Sequence, residues 1–290
     1  MVDKILVVDD EVDIVNLVKI ILESEGYIVS TAFDGEEAIV RATSELPDLI
    51  LLDIVMPRKT GLEVCRILKS QNKTKMIPIL MFTVLGRDVD KRMSMEAGAD
   101  GHITKPFEAD ELISNIKATI KKSRLERFSH TIGLKHQTLR GRQILLEYNP
   151  ESPYERCVRD YVLEAVANDE ASVVISRPGS PIYNVIKDEK DVELIPLEEK
   201  ILISPILKKY SDKNLTLTYD SITDTALSLG FNRTYNFIRD VVKSISVRGV
   251  TALFLLNPEA HSPNETYGFR NLFNNHLKYD AEGLKKIKMI

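Results

Sequence analysis

Four short apolar runs, each closed by a polar residue, set the pattern of the first 110 residues. Lys4-Ile5-Leu6-Val7-Val8 runs into Asp9-Asp10, and Asp48-Leu49-Ile50-Leu51-Leu52 into Asp53. Ile79-Leu80-Met81-Phe82 runs into Thr83, and Gly101-His102-Ile103-Thr104 into Lys105-Pro106. Runs this short, alternating with helical spacing, predict a parallel sheet covered on both faces. In such sheets the functional crevice lies outside the carboxyl ends of the strands, so three carboxylates, a hydroxyl and an ammonium are expected to converge there.

That convergence needs a partner for its charge. Two bare carboxylates about 4 Å apart repel by roughly 4 kcal/mol at an effective dielectric of 20. A surface ion pair returns at most about 1 kcal/mol, so Lys105 alone cannot neutralise three acids. A hard divalent cation can, and an all-oxygen pocket without nearby His or Cys suits Mg2+ better than zinc. A carboxylate beside such a metal is also a nucleophile for phosphoryl transfer. Taken alone, Asp9-Asp10-Glu11 is equally compatible with a capped, dipole-matched helix start. The joint pattern argues against that simpler reading.

The stretch from Lys4 to about Lys122 resembles the receiver domain of two-component response regulators. The resemblance rests on ILVVDDE at 5–11, LILLDIVMPRKTG at 49–61, ILMFT at 79–83 and GADGHITKPF at 98–107. It implies a flavodoxin-like, doubly wound, five-stranded parallel sheet over residues 1–122. By position it implies Asp53 as phosphoacceptor, Asp10 as direct Mg2+ ligand, Asp9 as an acidic ligand through water, and the Val55 carbonyl as a backbone ligand. Thr83 and Lys105 take the places of the switch hydroxyl and the phosphate-binding lysine, and Lys105-Pro106 that of the family's cis peptide. His102 stands where an aromatic residue is usual and Val84 where Ala or Ser is commoner. A His at 102 also reads as a plain half-exposed strand residue. Val55 and Leu85, both apolar, flank the expected site and predict slow hydrolysis of an aspartyl phosphate.

Length and charge place the second half. A chain of 290 residues with 43% hydrophobic content has room for two packed domains. No apolar run approaches a membrane span, no signal-peptide pattern opens the chain, and Cys65 and Cys157 are isolated; a cytoplasmic protein is expected. Formal charge is −5 over 1–122, +4 over 123–143 and −3 over 144–290. Residues 123–142 therefore read as a basic, partly helical connector, with Gly133 ending or kinking the helix. Arg124, Arg127, Lys135, Arg140 and Arg142 offer a nucleic-acid patch only weakly, because no recognition motif accompanies them.

Beyond the connector the pattern again alternates. Strands are predicted at 143–148, 172–176, 201–203, 215–219 and 250–256, with helices over 154–168 and from 224 to 246, broken near Gly230. Two closing strands are predicted around an Asp280–Gly283 turn. The order resembles the RecA-type ATPase core, in its clock-protein (KaiC-like) branch. LTLTYDSITD at 215–224 resembles the second nucleotide motif, with Asp220 at the acid, and residues 237–257 resemble the helix and strand that follow. The resemblance implies a second α/β RecA-like domain over 143–290 with a largely parallel sheet. The phosphate loop is missing. Tyr148-Asn149-Pro150-Glu151-Ser152-Pro153-Tyr154-Glu155 has no glycine, no lysine and two prolines without an N–H. Arg177-Pro178-Gly179-Ser180-Pro181 follows the wrong strand, Asp220 reads as a strand-end turn residue, and His261 as a loop histidine.

A phosphoreceiver is thus expected, not an enzyme in its own right. Its partners would be a sensor histidine kinase or phosphotransfer protein and an unknown downstream protein; a homodimer through the receiver's last helices is compatible with the pattern. Two other functions stay open: a phosphorylation-gated ATPase and a DNA-binding transcription regulator. No helix-turn-helix pattern supports the latter.

Overall fold

The structure is a computed structural model that describes residues 3–71, 73–83, 88–198 and 202–290. Val84, Leu85 and Ile201 lie outside the described residues. The chain divides into two compact units, Val2–Ser123 and Arg124–Ile290.

The first unit alternates strands and helices: β1 (Lys4–Val8), α1 (Val12–Ser24), β2 (Ile28–Ala32), α2 (Gly35–Glu45), β3 (Leu49–Asp53) and α3 (Gly61–Ser70). It continues with β4 (Ile79–Thr83), α4 (Asp88–Glu96), β5 (Gly101–Thr104) and α5 (Ala109–Arg124). The five strands pair in parallel in the order β2-β1-β3-β4-β5, a flavodoxin-like sheet. Successive side chains leave a strand on opposite faces, so each run feeds two cores. Leu6, Val8, Ile50 and Leu52 pack with Ala38, Val64 and Leu68 of α2 and α3. Ile5, Val7, Leu49 and Leu51 pack with Val15, Leu22, Leu112 and Ile116 of α1 and α5. Burial on both faces is why β1 and β3 read as continuous apolar runs. Helix starts are fixed locally: Asp34 caps α2, and Thr60 with Glu63 forms a capping box on α3.

The second unit opens with α6 (Arg127–Thr131) and α7 (His136–Leu139), followed by β6 (Gln143–Tyr148), α8 (Tyr154–Ala167), β7 (Ala171–Ser176), α9 (Pro181–Ile186) and β8 (Val192–Pro196). Next come α10 (Ile203–Lys209), β9 (Leu215–Asp220), α11 (Ile222–Leu229), α12 (Phe231–Val247) and β10 (Thr251–Leu256). A short 3-10 turn, α13 (Pro263–Arg270), β11 (Asn275–Asp280) and β12 (Gly283–Lys288) close the chain. Its seven strands run β12-β11-β6-β10-β9-β7-β8, parallel throughout except for the terminal β11–β12 hairpin. Leu217, Tyr219 and Phe254 face one core with α12; Ile144, Leu146 and Leu255 face the other beneath α8. Gly230, at φ 78°, separates α11 from α12 where a break was expected.

Three expectations change. Ile203 begins a helix, not a strand, because Ile203, Ile206 and Leu207 bury one face at helical spacing while Pro205 sits in the tolerated first turn. The elements α9 and β8 were not anticipated. The 123–142 stretch is no free connector: from Arg124 it belongs to the second unit, where Phe128, Ile132 and Leu139 enter the core under α8.

Candidate functional site

In the first unit the strand ends deliver their polar residues to one place. Asp9 follows β1, Asp53 ends β3, Thr83 ends β4 and Lys105 follows β5; all four are buried. Lys105 Nζ donates to Asp9 Oδ2 at 2.5 Å and to Asp53 Oδ1 at 2.7 Å. The Val55 N–H donates to Asp53 Oδ2 at 2.7 Å, and the Glu11 N–H to Asp9 Oδ1 at 3.0 Å. Register pairs Asp53 with Phe82, which sets Thr83 one residue beyond it on the adjacent strand. The Lys105 stem is held over the Phe82 ring, its Nζ 4.9 Å from the centroid, and the Lys105-Pro106 bond is cis. Gly61 lies so close that a Cβ on it would stand 2.0 Å from the Asp53 carbonyl oxygen.

Burial pushes the Asp53 carboxyl up and Asp9 adds to that, while Lys105 and the Val55 N–H pull it back. Burial also opposes the charge on Lys105, yet Asp53 and Asp9 outweigh it and hold the ammonium above its ordinary range. Asp53 thus rests with one oxygen on an ammonium and the other on a backbone N–H. Asp10 and Val55 lie at the rim, Val55 at 67% exposure, and His102 is half-buried on β5 opposite Met81. Among the described residues no three His, Cys, Asp or Glu side chains form a ready metal cage. The donors present are all oxygens, which fits Mg2+ shared with water and phosphate. Asp9, Asp10, Asp53 and the Val55 carbonyl would hold it.

At the carboxyl ends of the second sheet the arrangement is different. The Tyr148 and Tyr154 rings stack 4.0 Å apart on either side of the Asn149–Pro153 turn. Asp220 is buried, and its Oδ2 accepts from Ser176 Oγ at 2.7 Å and Ser180 Oγ at 3.1 Å. Burial pushes its carboxyl up to about 6 against those two hydrogen bonds. Asp220 thus anchors the loop after β7. Arg177 reaches Asp224 at 3.5 Å, and His261 bonds Thr223 at 3.1 Å with its edge toward Phe269.

One charged cluster escaped the sequence. His136 on α7 places Nδ1 2.9 Å from Glu164 Oε1 and Nε2 3.0 Å from Glu170 Oε1. Arg140 Nε donates to the same Glu170 oxygen at 2.8 Å, and Thr216 Oγ1 to the other at 2.6 Å. Glu164 Oε2 accepts the N–H groups of Phe128 and Ser129 at the start of α6. Burial pulls His136 down, but the two carboxylates outweigh it and raise the imidazole to about 9. Three of the basic residues in this stretch have partners within the unit: Arg127 pairs with Asp160, Arg140 with Glu170, and Arg142 bonds Thr138 and Asn275.

The fold and the Asp9–Asp53–Lys105 geometry define a class. Residues 5–117 match the family described as response regulator receiver domain, and this first unit is such a domain. Over 122 residues the chain is 48% identical to the alkaline phosphatase synthesis transcriptional regulatory protein PhoP of Bacillus subtilis, covering 42% of this chain and 50% of that one. The chain thus spans about half the length of this curated relative. Among solved structures, the chemotaxis protein CheY4 of Vibrio cholerae is 34% identical, covering 41% of this chain and 99% of that one, with a TM-score of 0.40. The receiver domain of NtrX from Brucella abortus is 37% identical, over 40% of this chain and 98% of that one, with a TM-score of 0.38. No helix among the described residues is long and apolar enough to cross a membrane.

Proposed function

We propose that the chain is a response regulator that accepts a phosphoryl group on Asp53 from a histidine kinase or phosphotransfer protein. The observation that carries this reading is the posture of Asp53: one carboxylate oxygen on Lys105 Nζ at 2.7 Å, the other on the Val55 N–H at 2.7 Å. Such a carboxylate is fixed and flanked by a cation that can follow charge onto a transferred group. A bound Mg2+ would supply further neutralisation of the phosphoryl oxygens. Asp53 attacks phosphorus as the bond to the donor's leaving nitrogen breaks, and the released electron pair stays with the imidazole. Lys105 then exchanges its bond to Asp53 for one to a phosphoryl oxygen, and Thr83 supplies a hydroxyl at the neighbouring strand end.

The second unit serves in this reading as a non-catalytic, RecA-like output domain that binds a protein partner. Its element order, from β6 through α8 and β7 to Asp220 at the end of β9, supports the RecA-like assignment. Glycine N–H groups would be needed after β6 to cradle phosphates, and stacked tyrosines and prolines stand there instead. To move a switch from 1:99 to 99:1, phosphorylation must favour the active state by about 5.5 kcal/mol. The test is to incubate the full chain with Mg2+ and acetyl phosphate and follow both phosphorylation and ATP turnover. Stable labelling without ATP turnover is expected; ATP hydrolysis stimulated by phosphorylation would replace the output reading.

A further inference from the structure

The sheet of the second unit is polar under one half of α8 and apolar under the other. On β7 and β9, Val173, Ile175, Leu215, Leu217 and Tyr219 face the α12 side. Alternation therefore turns Ser172, Ser176, Thr216, Thr218 and Asp220 toward α8, with Val174 among them. Over β6 and β10 the same layer is filled by Ile144, Leu146, Leu253 and Leu255.

A bonded cluster closes each end of this polar strip. At one end Thr216 joins Glu170, His136 and Arg140; at the other Asp220 holds Ser176 and Ser180. The hydroxyls of Ser172 and Thr218 share this face of the sheet and α8 adds that of Tyr161; the three residues are 4%, 0% and 3% exposed. Among the described residues none of these three oxygens has a hydrogen-bond partner. The ladder sets Ser172 opposite Thr216 and Thr218 opposite Val174, so Ser172 and Thr218 are diagonal neighbours on one face. Tyr161 lies in the field of Glu164 and Glu170. Native interiors leave few such groups unpaired, and water is the usual partner when small polar side chains leave room for it. Here serine and threonine stand on strand positions of the face that carries isoleucine and leucine over β6 and β10.

We propose that ordered water occupies this layer, bonding Ser172, Thr218 and Tyr161 and linking the His136–Glu170 clamp on α7 to the Asp220 anchor at the strand ends. The segment that follows the receiver and the crevice face of the second sheet would then be energetically coupled. The inference concerns the second unit alone and stands whether or not Asp53 is phosphorylated.

Hydrogen exchange of α8 and β9 amides in the full chain tests it through its sign. Thr218→Val keeps the shape and removes the hydroxyl. If that hydroxyl bonds water, exchange quickens by about fivefold, the loss of one ordinary hydrogen bond, and Thr218→Ser restores the wild-type rate. His136→Gln and Asp220→Asn would then act non-additively in the wild-type background and additively beside Thr218→Val. Unchanged or slower exchange in Thr218→Val means a dry layer and overturns the proposal. So does equal quickening in Thr218→Ser, which would mark a packing effect, or additivity in the wild-type background.

Discussion

The rings of Tyr148 and Tyr154 stack with centroids 4.0 Å apart, across the turn where a phosphate-binding loop would have to leave β6. Both side chains are buried. In the RecA-like reading proposed above, this aromatic pair stands where backbone N–H groups would need to surround phosphates. Calorimetric titration of the full chain with ATP and Mg2+ should accordingly give no binding heat. Tyr154→Ala should destabilise the second unit by about 3 kcal/mol, as for other large aromatics truncated in a core, measured by urea unfolding followed by far-UV circular dichroism. Tight ATP binding by the native chain would refute the plugged-site reading.

His136 offers a second measurement. Removing it leaves Glu164 and Glu170 facing each other in the interior, so His136→Ala should cost about 3–5 kcal/mol. The pH dependence has a definite sign. The folded value, about 9, lies above the ordinary 6.5. The stabilisation is therefore complete below pH 6.5 and is lost as pH rises through 9. Urea midpoints of the second unit should fall over that window in the native chain, and the fall should vanish in His136→Gln.

Gly61 makes a steric prediction. A Cβ at this position would stand 2.0 Å from the Asp53 carbonyl oxygen and 2.9 Å from its carbonyl carbon. Backbone cannot yield as a flexible side chain can, so Gly61→Ala must shift the β3–α3 connection that carries Val55. Phosphorylation by acetyl phosphate should drop at least tenfold, with a lowered thermal midpoint of the first unit. Native-like labelling in this variant would show that the Asp53 environment does not depend on that close approach.

Much of the first unit was legible because its central strands are buried on both faces and end on the residues that matter: Asp9, Asp53 and Thr83. The edge strand β2, Ile28–Ala32, carries no such run; only Ala32 in it is buried. The same holds for β8 at the other sheet's edge, where every residue is half-buried or exposed. Pro205 masked the helical spacing of α10. The His136 clamp could not be read at all, since its carboxylates lie 28 and 34 residues further along and no local motif announces them. The weak suggestion of a basic patch has the same origin: the acceptors of Arg127, Arg140 and Arg142, namely Asp160, Glu170 and Asn275, are distant in sequence. Composition identified the charges, and only the fold shows what they face.

The most direct test of the account is the site of phosphorylation itself. The full chain, treated with acetyl phosphate and Mg2+, should gain one phosphoryl group by intact mass spectrometry. Borohydride trapping should place it on Asp53, and Asp53→Asn should abolish it. Phosphorylation that persists in Asp53→Asn, or that maps to Asp9 or Asp10, would contradict the account.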